Sequence, residues 1–199
     1  MAKSDRQSEK GLMDLLQHGL KDIYYAEKKI YRSLPKMIKA AEDSDLKEGL
    51  SDHREETGEQ ITKLEEIFGL MGMRSKGEKC DAIDGILDEG DGILEDFGGT
   101  AAGDAAIIFS CQAVEHYEIT RYGSMHAFAL ALGLKDVAGL LQEILGQERA
   151  ADKKLSSIAK SRVNHAAESA ADAAEHTGKR SMADGNPTET SSRKAPSSR

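Results

Sequence analysis

The sequence predicts an all-α domain: four long amphipathic helices in a bundle, with one long connection between the second and the third. Three observations lead there. The composition favours helix, with Leu, Ile, Ala, Glu and Lys abundant and only three prolines and no tryptophan in 199 residues. Apolar residues recur at spacings of three and four in four separate stretches. The connections between those stretches run short, long, short, which sets how neighbouring helices are oriented.

The first helix is expected over 11–41, where Leu16, Leu20, Ile23, Ile30, Leu34 and Met37 form one stripe. Pro35 conflicts with that pattern, because a mid-helix proline removes a hydrogen bond and should kink the helix. The stretch "EDSD" (Glu42–Asp45) reads as a tight turn, with Ser44 or Asp45 as the next N-cap. The second helix is expected over 46–71, with Leu46, Leu50, His53, Thr57, Ile61, Leu64, Phe68 and Met71 in its stripe and Gly72 near its end. Residues 72–102 are glycine-rich and read as a crossover holding one or two short helices. The third helix is expected over 104–132, with Asp104 in an acidic first turn and Ile108, Cys111, Glu115, Ile119, Tyr122, Met125 and Ala129 inward. After the turn "LGL" (Leu132–Leu134), the fourth runs over 135–159, with Val137, Leu141, Ile144, Glu148, Ala151, Leu155 and Ile158 inward.

Short turns make the first pair and the last pair antiparallel. A helix of about 26 residues is about 39 Å long. The long connection can run back along that length and leave the second and third helices parallel. A four-helix bundle with one such crossover is of the ferritin-like type. The chain therefore divides into an N-terminal arm (1–10), the bundle (11–160) and a helix extension with a tail (161–199). The last segment contains no Phe, Tyr, Trp, Ile or Leu. Beyond Gly178 disorder is expected, because too little apolar surface is available to offset ordering.

The formal net charge is −8. That argues against nucleic acid as a partner and against an anionic membrane surface. No apolar run approaches the roughly 20 residues of a membrane span. The start "MAKSDRQSEKGLMDLL" lacks the apolar segment of a secretory signal. The two cysteines, Cys80 and Cys111, form no disulfide framework and no metal motif, and read as reduced thiols. The expectation is a cytoplasmic protein.

Within the stripes, charged residues stand where apolar ones belong. Glu27 interrupts the first, between Ile23 and Ile30. His53 interrupts the second, with Glu56 three residues on. Glu115 interrupts the third, with Glu118 three residues on, and Glu148 the fourth, with Asp152 four residues on. Counted from the short turns, these positions lie roughly 20–27 Å in, at 1.5 Å per residue. Because the crossover puts the two turns at opposite ends, both sets fall near the middle of the bundle. One inward Glu is ordinarily hydrogen-bonded or partly exposed, and "ExxE" is common on helices. Four interruptions at matching depth are another matter.

Such a layer needs compensation, since a buried ionised carboxylate costs several kcal/mol and several together repel. No stripe contains a lysine or arginine at this depth; Arg54 and Arg121 come nearest, and both point toward helix flanks. A pair of divalent or trivalent cations would satisfy the layer. Hard oxygen ligands with one or two imidazoles suit iron or manganese. Tyr24 and Tyr122 lie near this depth, either as hydrogen-bond donors to the ligands or as amphipathic core filler.

The segments "LKDIYYAEKKI", "DHREETGEQITKLEEIFGLMG", "KCDAIDGILDEG", "QAVEHYEITRYGSM" and "LLQEILGQERAADKKLSSIA" resemble, in this order, the YciE/YciF-type ferritin-like family. The resemblance covers about residues 11–160. It implies a homodimeric ferritin-like bundle with a di-metal site, linked to stress response. It places the family's acidic positions on Glu27, Glu115, Glu118, Glu148 and Asp152, and its second-helix histidine on His53. One departure is visible: the usual di-iron pattern has Glu-x-x-His on two helices. Here Glu55 is followed three residues on by Gly58, and Glu148 by Ala151. Two functions are expected from these residues. One is an oxidoreductase with two iron ions (or manganese), acting on Fe²⁺, peroxide or O₂. The other is a non-catalytic stress-response protein with a structural metal.

Overall fold

The computed structural model describes residues 9–170, and these are helical with short connections. The elements are α1 (Leu12–Ala40), α2 (Ser44–Leu70), α3 (Asp81–Phe97), α4 (Gly103–Ala131) and α5 (Lys135–Ile158). α1 packs on α2 and α4, α5 packs on α4 and α2, and α3 lies against α4 and α1. The start of the expected N-terminal arm and the end of the expected tail lie outside the described residues. Among those described, no helix is long and apolar enough to cross a membrane.

The α1 stripe is buried as its spacing requires, from Leu16 through Met37. Pro35 lies inside α1 without ending it. It takes one hydrogen bond from the ladder, and the buried side chains on either side hold the helix together. The turn that follows differs from expectation in its cap. Asp43, rather than Ser44 or Asp45, caps α2, its carboxylate accepting from the N–H groups of Asp45 and Leu46 at 3.0 Å each. Asp43 is the residue still in extended conformation, which an N-cap requires.

The crossover holds one helix, and that helix is not short: α3 has 17 residues. Before it, the chain passes beside α1, where the Glu78 N–H donates to the Lys21 carbonyl at 3.1 Å. Gly77 permits this approach, since a Cβ there would stand 3.0–3.1 Å from Tyr25, including its backbone. α3 then runs parallel to α1. Lys29 pairs with Asp84 at 3.1 Å and, seven residues on in each helix, Lys36 with Asp91 at 2.7 Å. The glycines of α3 do not break it. Gly90 is buried and lets α3 approach α4, where a Cβ would sit 3.4 Å from the Ser110 Cβ.

By the end of α3 the chain is back at the α1–α2 turn. There Asp104, in the first turn of α4, accepts from the N–H groups of Glu42 and Asp43, both at 2.8 Å. α4 therefore starts where α2 starts and runs parallel to it. After α5 the helix widens into a π turn, Ala159–Val163, and resumes over 164–170. Arg162 in that turn donates to Asp43 at 3.1 Å and also pairs with Asp45. Three elements thus converge on one end of the bundle.

Replacing Gly77 by Ala is expected to lower stability by about 1–3 kcal/mol in urea titration, because the clash is with backbone. Gly69→Ala, with nothing within 4 Å of its new methyl, should instead raise stability by up to about 1 kcal/mol.

Candidate metal centre

Four helices deliver five charged or ionisable side chains to one buried layer. Glu27 comes from α1, His53 from α2, Glu115 and Glu118 from α4, and Glu148 from α5, all buried. One ligand atom from each of His53, Glu115, Glu118 and Glu148 lies within 4.8 Å of the others. Glu27 adjoins this group from the α1 side, where its carboxyl group accepts a short hydrogen bond from the Tyr122 hydroxyl. Glu56 and Asp152 sit at the rim, partly exposed. Asp152 accepts from Gln112 at 2.8 Å and lies 3.4 Å from the exposed His116.

Two expected inward positions are only partly buried. In α2, Ile61 gives way to the buried Gln60; in α4, Ile119 is partly buried while Glu118, expected in the layer, is buried. The stripe follows 3.6 residues per turn, so its centre drifts off the apolar residues and onto the polar ones. Gln60 was not singled out by sequence, although its place between Thr57 and Leu64 on the same face is the signal. Its amide donates to the Glu148 carboxylate at 2.5 Å. The two tyrosines separate cleanly. Tyr122 serves the layer, whereas Tyr24 donates to Glu65 at 2.7 Å and packs edge-on against Phe68.

Burial governs the electrostatics. It pushes the Glu27 carboxyl up to about 8, aided by the nearby Glu148. It pushes Glu148 up to about 7, against hydrogen bonds from Glu115 and Gln60 that pull the other way. Glu115 and Glu118 are raised well above the ordinary carboxyl range by burial and then by Glu148. His53 is pushed down to about 4 by burial. The 3.3 Å contact between His53 Nε2 and Glu115 Oε1 therefore joins a neutral imidazole to a carboxyl group and is not an ion pair. Burial and Glu115 also push the Cys111 thiol up to about 12, so it stays protonated and unreactive. Arg54 cannot neutralise the layer; its guanidinium lies 4.2 Å from the Tyr31 ring centre. Arg121 lies beside Asp22 and over Tyr117.

The donor set fits a hard cation. Glu27, Glu115, Glu118 and Glu148 each keep one buried oxygen without a hydrogen-bond partner, and His53 Nδ1 has none either. Such orphans are rare in folded proteins unless something unseen satisfies them. Carboxylate oxygens with one neutral imidazole suit a hard or borderline cation better than a thiolate-seeking one. Bound there, a cation would turn four mutually repelling groups into ligands.

Residues 11–168 match the family model described as a domain of unknown function, DUF892. The chain is 36% identical over 163 residues to Protein YciF of Escherichia coli K12, covering 81% of this chain and 98% of that protein. The crystal structure of the E. coli stress protein YciF superposes with a TM-score of 0.74 at 36% identity, covering 78% of this chain and 99% of that one. YcfI from Rhodopseudomonas palustris, whose description proposes a structural role, matches with a TM-score of 0.73 at 44% identity, covering 76% and 96%.

The carboxyl shifts set a pH dependence for chelated protein. Folded Glu27 and Glu148 hold protons up to about 8 and about 7, while unfolded glutamates release theirs near 4.5. The folded state binds more protons across that window, so stability falls as pH rises through it. His53 acts oppositely, but only below its ordinary 6.5. Between pH 6.5 and 8 the melting temperature of chelated protein should therefore fall. The rise caused by added Mn²⁺ should grow over the same range, measured by calorimetry.

Proposed function

The chain belongs to the DUF892 family, and from that premise we propose that it is a stress-response protein of ferritin-like architecture whose buried carboxylates hold one or two iron or manganese ions. The observation that carries this reading is the set of four buried glutamates from three helices, each with an unsatisfied oxygen, around a neutral histidine. Glu27, Glu115, Glu118 and Glu148 would supply oxygens and His53 a nitrogen. Tyr122 fixes the Glu27 carboxyl and Gln60 fixes that of Glu148, so two ligands are oriented from behind. A redox-active metal held there would supply electron transfer to or from Fe²⁺, peroxide or O₂. The protein's own part is to bind and orient the ligands in a layer closed off by the apolar residues above and below.

A second reading has the metal serve the fold alone. The absence of a histidine at Ala151, where the usual di-iron pattern puts its second imidazole, favours it. The likeness to YcfI adds support from outside the chain. Elemental analysis of protein reconstituted with Fe²⁺ or Mn²⁺, followed by O₂ and peroxide consumption assays, separates the two. Metal with turnover supports the redox reading, and metal with only a raised melting temperature supports the structural one. Protein that takes up neither metal rejects both.

Glu118→Gln offers a further check. At pH 8 the chelated variant should be at least as stable as chelated wild type, because a neutral amide replaces a carboxyl group that is costly to ionise there. It should also gain less from metal. A variant that is less stable without metal, and gains as much with it, would show that Glu118 is not a ligand.

A further inference from the structure

A cleft of about 110 Å³ opens between α2 and α5 and reaches His53 and Glu115. Asp52 and Glu56 stand on its α2 wall, Ala151 and Lys154 on its α5 wall. His53 and Glu115 line it as well, and His53 Nδ1 and Glu115 Oε2 are buried without hydrogen-bond partners. At its mouth, Lys154 Nζ meets Asp52 Oδ2 at 2.7 Å, with both side chains about half exposed. The lysine stem lies across Gly49, where a Cβ would stand 3.3 Å from Lys154 Cε. The walls thus step inward from a solvent-exposed carboxylate to a half-buried one, and then to the buried His53 and Glu115.

A second cavity approaches the same His53 and Glu115 from the α3 side. It is only about 30 Å³ and is lined chiefly by apolar side chains, including Ile30, Leu34, Met37 and Val114. A hydrated cation entering there would shed water with little to replace it, which is costly. Between α2 and α5, Asp52, Glu56 and Glu115 offer carboxylate oxygens in place of lost waters.

We propose that the α2–α5 cleft is the inlet for hydrated divalent cations, with Asp52 and Glu56 as transit carboxylates, Lys154 as a displaceable counter-ion, and the small side chain of Ala151 keeping the passage open. An arriving cation takes the place of the Lys154 ammonium at Asp52. Little opposes that exchange, because an exposed ion pair is worth at most about 1 kcal/mol. The cation next meets Glu56, one turn along α2, and then His53 and Glu115. A histidine at position 151 would narrow this passage, so the departure from the usual ligand pattern leaves a way in. The proposal rests on the metal reading above and concerns how the cation arrives.

The test follows Co²⁺ uptake by the full chain after chelation, using stopped-flow visible absorption for the rate and elemental analysis for the final content. Glu56→Gln and Ala151→Leu should slow loading on the order of tenfold. Lys154→Met should accelerate it, most clearly at low salt. All three should reach the wild-type stoichiometry and final spectrum. Wild-type rates in Glu56→Gln and Ala151→Leu overturn the proposal, as does an unchanged rate in Lys154→Met. A loss of stoichiometry in Glu56→Gln also overturns it, by making Glu56 a resident ligand. Wild-type protein that binds no Co²⁺ at all would instead count against the metal reading itself.

Discussion

Four carboxyl groups from three helices, crowded into a space that excludes water, govern much of this structure. Glu27, Glu115, Glu118 and Glu148 are each at most 1% exposed. In the absence of a cation they must hold protons that ordinary glutamates lose at neutral pH. Like charges at this separation cannot all ionise. The layer is therefore stable only with protons or with metal, and the choice between them depends on pH. The neutral His53 and the hydroxyl of Tyr122 fit either state. One can accept a proton or bind a metal, and the other donates to whichever oxygen Glu27 presents.

The rest of the bundle supplies rigidity around that unfavourable centre. Leu16, Leu20 and Ile23 lie to one side of Glu27 along α1, and Ile30, Leu34 and Met37 to the other. Leu141 and Ile144 precede Glu148 in α5, and Leu155 and Ile158 follow it. Each element thus holds its charged residue between apolar anchors. The burial of those anchors, at about 25 cal/mol per Å², opposes any tendency of the layer to open. Where the wall is thin, between α2 and α5, the side chains are small or charged and the centre is reachable.

Much of this was legible in the sequence, and the reasons are physical. Periodicity located the four long helices because each buries one stripe, and the interruptions at Glu27, Glu115 and Glu148 stood out against apolar neighbours. Depth along the helices then placed them in one layer, since helical rise is constant. The legible part ended where identity and geometry diverge. Ile61 and Ile119 looked inward because they are apolar, yet both are only partly buried; Glu118 already stood in the expected layer, and Gln60 is the member of that face the sequence left out. The Asp43 cap was misjudged by one or two residues, because Asp and Ser are all competent caps and only the backbone conformation chooses among them. The length of α3 was hidden by glycines that read as breaks, whereas Gly90 serves close packing with α4. The rim positions of Glu56 and Asp152 depend on how helix flanks meet, which one stripe does not encode.

The two hydrogen bonds that Asp104 accepts from Glu42 and Asp43 join the head of α4 directly to the turn between α1 and α2. The register of Glu115 and Glu118 against Glu27 is thereby set by a local clasp and not by the length of chain between them. Lengthening a loop is thermodynamically mild, at about 0.6 kcal/mol for each doubling. The exposed stretch 74–76 of the crossover can therefore accept inserted residues while the ligand layer keeps its alignment, whereas Gly77 and α3, packed against α1 and α4, leave the rest of it little freedom to drift.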